Sequence, residues 1–218
     1  MKEDHQCRRT PEEIFVAKIT AGLSHEFMNV LATIRETSGL MEDLLALDQS
    51  KFPYREKFAR SLGAIRKQVN RGMEIGENLN QFAHSMDEPR VRLEVNNALR
   101  QFGSLMQRFV RLQKAQLTVD SEESSLKIET DSLRLQMIFA ACVEYCLLHT
   151  APGEIVTLRA YRTDGGIAIR FLSPLDPSRP TPAGAPLQEQ DEALRGIGAT
   201  LSPICTPNRT GLELILPY

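Results

Sequence analysis

Between Pro11 and Leu47, apolar side chains recur every three or four residues: Ile19, Leu23, Phe27, Val30, Ile34, Met41 and Leu45. At about 100° per residue these positions line one stripe of an α-helix, and Pro11 suits its first turn. Asp48-Gln49-Ser50-Lys51-Phe52-Pro53-Tyr54 reads as a turn. Beyond it Phe58, Leu62, Ile65, Val69, Met73, Leu79 and Phe82 repeat the spacing, predicting a second helix from about Arg55 to Met86, closed by Asp87-Glu88-Pro89. Gly72 and Gly76 near this seam weaken the helix and permit a neighbour to approach. A lone pair of helices this long cannot bury both stripes. Pairing the hairpins of two chains into a four-helix bundle buries them, so a homodimer is expected.

The character changes near Arg90, which divides the chain into a flexible N-terminus (1–10), a helical hairpin (11–88) and an α/β unit (89–218). Val91 to Gln113 reads as a helix through Leu93, Val95, Ala98, Leu99, Phe102, Leu105, Met106 and Phe109. Leu117-Thr118-Val119 and Leu126-Lys127-Ile128 are short strands around an acidic turn. Asp131 to His149 is a mostly apolar helix with Asp131 or Ser132 as cap. Ile155–Tyr161 and Ile167–Phe171 alternate about Thr163-Asp164-Gly165-Gly166, which predicts a hairpin. Pro174 to Pro186 is loop, Glu189 to Gly196 a short helix, and Leu212–Leu216 a last strand. The fold class is α+β, with helices layered on a mixed sheet.

On the first helix His25 lies roughly 200° from the centre of the apolar stripe, facing outward. Asn29, four residues on, shares its face. Glu26, at the stripe's edge, is near enough in sequence to accept the ring's N–H. A carboxylate there fixes the tautomer and raises the basicity of the other nitrogen, the arrangement a nucleophilic imidazole needs. The same residues also read as ordinary polar groups on a solvated face.

Composition narrows the classes. A net charge of −2 gives no support for nucleic-acid binding. Met137–Val143, the longest apolar run, is too short to span a bilayer. Met1 to Arg9 is charged, with no apolar signal core behind it. Cys7, Cys142, Cys146 and Cys205 show no metal-like pairing, and Cys142 and Cys146 read as buried thiols. A cytoplasmic protein without a metal of its own is expected, signalled to by a partner or small molecule.

The order of elements resembles a bacterial sensor histidine kinase core, a dimerising phosphoacceptor hairpin followed by an ATPase-like sandwich, from about Ile14 to Tyr218. Ser24-His25-Glu26-Phe27-x-Asn29-x-Leu31 is similar to the family's phosphoacceptor box. The resemblance implies that His25 takes the phosphoryl group, that Glu26 is its base, and that Asn29 stands where a Thr or Asn orients water for dephosphorylation. Val30 replaces the usual Pro, which implies a straighter helix. Asp131-Ser132-Leu133-Arg134-Leu135 resembles the lead-in to the ATP-binding helix, and Thr210–Pro217 the terminal strand.

The resemblance then fails at the nucleotide site. The Asn expected to hold magnesium falls on Tyr145, the preceding helix Asn on Ala141, and the phosphate-facing Lys on Leu148, while Thr150 still fits. Ser173-Pro174-Leu175-Asp176-Pro177 replaces an Asp-x-Gly turn. Gly196-Ile197-Gly198, the nearest approach to a Gly-x-Gly lid, better suits the loop before the penultimate strand. Neither hard oxygen ligands for magnesium nor a Gly-rich phosphate cradle is evident, so ATP binding is expected to be lost.

This pattern resembles the histidine phosphotransferases of phosphorelays, in which His25 would carry a phosphoryl group between receiver-domain aspartates, with magnesium supplied by the receiver. The alternatives are a non-catalytic pseudokinase or scaffold, a response-regulator phosphatase using Asn29, and, last, a divergent active kinase. Arg66, Lys67 and Arg71 form a basic patch on the second helix, a solvated face or a surface for a receiver's acidic rim. His84 reads as a cation at a helix C-terminus, His149 as a packing or cap residue, His5 as part of the N-terminus, and Glu144 as a helix-face carboxylate.

Overall fold

The computed structural model describes residues 10–47, 54–84, 87–88, 90–120, 125–174 and 190–218. Two long helices come first, α1 (Pro11–Leu47) and α2 (Arg55–His84). They are followed by β1 (Val91–Glu94), α3 (Val95–Leu112), β2 (Gln116–Asp120), β3 (Lys127–Thr130), α4 (Ser132–Leu148), β4 (Ile155–Thr163) and β5 (Gly166–Pro174). A short helix α5 (Asp191–Ile197) precedes β6 (Thr200–Cys205) and β7 (Arg209–Pro217). The turn after α1, Cys7, His5, the acidic turn at 121–124 and the Pro-rich segment at 175–189 lie outside the described residues. Compact packing separates Ala17–Phe82 from Ala83–Tyr218, the latter joined by the start of α1 up to Val16.

Within the helical unit, the buried line of α1 runs through Ile19, Leu23, Glu26 and Val30, while Phe27 is 41% exposed. The stripe is therefore rotated toward Glu26 from the one its apolar residues predict: among the described residues of this unit α2 is the element α1 packs against, and Phe27, Met28 and Leu31 stay exposed beside that contact. Gly72 of α2 is the close approach: a Cβ added there would stand 3.3 Å from Val30 Cγ1. Gly76 meets nothing within 4 Å, so the expectation of close packing holds at one of the two glycines.

In the α/β unit five strands run in the order β2-β4-β5-β7-β6, with β2 parallel to β4 and the other neighbours antiparallel. Alternation sends Val156, Leu158 and Ala160 of β4, Ile167, Ile169 and Phe171 of β5, and Leu212, Leu214 and Leu216 of β7 to the covered face. α4 lies over these strands and is buried nearly all round, including Leu135, Ile138, Phe139, Cys142 and Val143. Phe139 links the layers, its ring centroid 5.5 Å from Phe102 of α3 and 5.6 Å from Phe171 of β5. Asp131 caps α4 through the Arg134 backbone N–H, 2.9 Å away. At the end of α5, Gly198 takes the left-handed conformation (φ 68°), and Gly196 leaves room for Arg134, whose Nη1 would meet an added Cβ at 1.8 Å. The Gly-Ile-Gly stretch thus ends a helix before β6.

The predicted helix from Val91 is corrected. Val91–Glu94 is a strand, pairing antiparallel with β3 in a second, two-stranded sheet. Its alternation of Val and Leu with Arg and Glu fits a half-buried strand, and Glu94 then caps α3. The Glu94 carboxylate accepts the N–H of Asn97 at 2.8 Å, of Asn96 at 3.2 Å and of Leu126 at 3.2 Å. Helix start and strand junction share one acceptor, so Glu94→Ala is expected to cost about 1–2 kcal/mol, measured as a lower urea midpoint.

The open face of the sheet carries a polar cluster. Glu213 accepts hydrogen bonds from Tyr161 Oη and, at 2.7 Å, from Arg170 Nε, and the Arg170 guanidinium lies 4.7 Å from the Tyr161 ring. Burial, then the bond to Glu213, pushes the Tyr161 hydroxyl up to about 12. The Tyr161 bond, outweighing burial and joined by Arg170, holds the Glu213 carboxyl below its ordinary value. Tyr161 is raised on folding, so its contribution is complete below about pH 10 and is lost as pH rises through about 12. Glu213 is lowered, so its contribution is present above the ordinary carboxylate range and lost on acidification. Tyr161→Phe is expected to flatten the alkaline limb and Glu213→Gln the acid limb of stability against pH, read from urea unfolding.

Candidate functional site on the first helix

His25 stands on the exposed side of α1, one turn before Asn29. Asn29 Nδ2 donates to His25 Nδ1 across 3.2 Å. The i, i+4 spacing of a regular helix makes that contact, because side chains four apart lie one above the other. Below it, Thr33 Oγ1 donates to the Asn29 carbonyl at 3.0 Å and Thr37 Oγ1 to the Thr33 carbonyl at 2.7 Å. Hydroxyls bonded back in this way are tolerated within the helix but tend to bend it.

Glu26 is placed differently from its sequence expectation. It is 8% exposed and pairs with Arg71 Nη2 of α2. The His25 ring takes its contact from Asn29 instead. The physical reason is rotational: residue 26 is a neighbour of 25 in sequence but lies about 100° round the helix from it. On that side Glu26 sits between Leu23 and Val30, where a carboxylate is held by a cation.

Of the predicted basic patch, Arg66 and Lys67 are exposed on α2, and Arg71 is half-buried against Glu26. The structure therefore brings together His25 with Asn29, and Glu26 with Arg71. Sequence reasoning missed that Arg71 belongs to Glu26; the available signal was the carboxylate's place in the inward line of α1. His84, at the end of α2, pairs with Asp87 at 2.6 Å.

On α4 the positions expected to face a nucleotide carry other chemistry. Tyr145 is 4% exposed, with its ring 5.2 Å from that of His149. Leu148 is 74% exposed, and Thr150 Oγ1 donates to the Cys146 carbonyl at 2.7 Å. These residues do not fit magnesium or phosphate, since they place a phenol ring, an alkyl chain and a committed hydroxyl where oxygen ligands and a cation are needed. Burial raises the Tyr145 hydroxyl, with Cys146 adding to it. Burial also pushes the Cys146 thiol up to about 12, and the Cys142 thiol well above its ordinary value with a further contribution from Cys146. Both thiols stay protonated and unreactive at neutral pH. Among the described residues, no group of three or more His, Cys, Asp or Glu side chains is placed to hold a metal, and no helix is long and apolar enough to cross a membrane.

Replacing Arg71 by Leu leaves the Glu26 carboxylate buried without this partner, with an expected loss of about 2 kcal/mol. Replacing both, as Glu26→Leu with Arg71→Leu, is expected to restore most of that stability, because an apolar pair fills the same space without desolvated charge. Urea unfolding of the two variants beside the parent checks both outcomes.

No protein-family model matches this chain, and no curated protein matches its sequence. Solved structures do. The nucleotide-free catalytic domain of the histidine kinase ThkA aligns with a TM-score of 0.50 at 12% identity, covering 60% of this chain and 97% of that domain. The Acinetobacter baumannii histidine kinase AdeS aligns at 0.48 and 9% identity, over 88% of this chain and 97% of AdeS. A structure described as a bacterial phosphotransferase aligns at 0.49 and 10% identity, over 92% of this chain and 96% of that one. Over the 60% of the chain that aligns with ThkA, the five strands with α3 and α4 have the fold of that histidine kinase catalytic domain.

Proposed function

We propose that this chain is a histidine phosphotransferase of two-component signalling, which carries a phosphoryl group on His25 between receiver-domain aspartates and uses no ATP. The observation that carries the reading is the exposed His25 with its ring held by Asn29, on a chain whose α4 residues do not fit a nucleotide. The His25 ring attacks an aspartyl phosphate in line, and the receiver's own magnesium neutralises the transferring oxygens. Arg66 and Lys67, the two cations of the predicted patch that are exposed on α2, meet the receiver's acidic rim in this reading. Its protonated thiols suit a reducing cytoplasm.

The chain acts as a homodimer in this reading. Phe27, Met28, Leu31 and Leu40 of α1 and Leu62, Val69 and Met73 of α2 are exposed. An apolar surface of that extent along two helices marks an interface. A second copy of the hairpin covers it by completing a four-helix bundle.

Incubation with phosphorylated receiver domains, without ATP, is expected to give acid-labile phosphate on the wild type and none on His25→Gln. Receivers that bind while keeping their phosphate, with none on His25, would replace this reading by a docking pseudokinase. Receiver phosphate lost faster without appearing on His25 would indicate a phosphatase. Introducing Leu40→Glu together with Leu62→Glu is expected to halve the mass seen in sedimentation equilibrium.

A further inference from the structure

We propose that Asn29, rather than Glu26, sets the tautomer of His25, and that its amide acts as a two-position selector of the ring's reactivity. The argument begins with valence. A carboxamide nitrogen is a donor without an acceptor lone pair, so Asn29 Nδ2 at 3.2 Å from His25 Nδ1 makes Nδ1 the acceptor. In the neutral ring the proton then sits on Nε2. The Nδ1 lone pair is engaged and Nε2 has none to offer, so the ring is held unreactive. Glu26, the residue whose carboxylate would favour the opposite tautomer, is buried and committed to Arg71.

A half-turn of the amide reverses this state. Its oxygen and nitrogen are nearly the same size, and the last torsion of Asn is broad and roughly two-fold. With Oδ1 inward, the amide accepts from Nδ1–H and the free lone pair moves to Nε2, on the exposed side of α1. Thr33 bonds the backbone carbonyl of Asn29 and leaves its side chain to the ring. Transfer then proceeds from that tautomer. The Nε2 lone pair forms the N–P bond while the P–O bond to the aspartyl carboxyl breaks, and the electron pair leaves with the carboxylate. The Nδ1 proton stays on the ring against Asn29 Oδ1 and passes to water once the phosphoryl group is seated. Asn29 is thus a positioning residue, acting through His25.

The transfer consequence rests on the phosphotransferase reading, whereas the tautomer does not. The experiment is ¹⁵N NMR of histidine-labelled protein at pH about 8.5, above the ordinary imidazole range, with His25→Gln identifying the signals. Asn29→Asp, with acceptors alone, is expected to raise the Nδ1–H share most, Asn29→Ala, which removes the donor to Nδ1, to raise it less, and Glu26→Gln to leave it where it is. The transfer rate from a phosphorylated receiver is expected to follow that share, rising about tenfold in Asn29→Asp and by less in Asn29→Ala. A tautomer ratio that moves with Glu26→Gln and ignores both Asn29 variants overturns the proposal. Asn29→Ala that keeps the ratio and the transfer rate, and changes only loss of receiver phosphate, overturns it as well. If no form of the protein takes phosphate while the ratio still tracks Asn29, the phosphotransferase reading falls and the selector stands.

Discussion

A carboxylate inside a helical hairpin must find a cation, and much of the helical unit's arrangement follows from how Glu26 meets that demand. Its place between Leu23 and Val30 turns it inward. Gly72 lets α2 come close to Val30, and the neighbouring Arg71 reaches Glu26. Spending Glu26 in this way leaves the imidazole next to it in sequence to a different neighbour in space. The ring's chemistry is then decided by Asn29, on the solvent side of the same helix.

The α/β unit solves a different problem with its two faces. One is closed by apolar packing through Phe102, Phe139 and Phe171, with α4 almost wholly enclosed. On the other face the polar side chains satisfy one another: Glu213 takes both Tyr161 and Arg170. A carboxylate accepting from a phenol and a guanidinium fixes three strands' side chains without needing a second apolar layer. In the same unit Glu94 performs a junction role, one carboxylate ending β1 and starting α3. In both places an acceptor with several lone pairs organises donors from separate elements.

Much of the fold was legible in the sequence because its signals are periodic. The bounds of α1, the α4 cap at Asp131 and the β4–β5 hairpin rest on three- and four-residue spacing, a capping side chain and a Gly-Gly turn. Val91–Glu94 was misread because four residues are compatible with either period, and the pairing with β3 that decides the matter comes from residues 127–130. At the site, His25 and Asn29 were placed on one face by counting, and the structure sets them in contact. The partner of Glu26 was not legible. Adjacency in sequence pointed to His25, while the angle between neighbours on a helix and the arrival of Arg71, 45 residues later, are facts of three dimensions.

One residue at the rim of the sheet bears on what the protein avoids. β6 is an outer strand of the five, and Pro203 sits in its middle, opposite Leu212. A proline in such a strand turns its nitrogen to the open side, where a donor is then missing. An incoming strand from another molecule would find the ladder interrupted halfway along. Growth of the sheet from copy to copy is thereby discouraged at this rim, which leaves side-chain contacts, rather than a continued ladder, as the way another molecule can be held there.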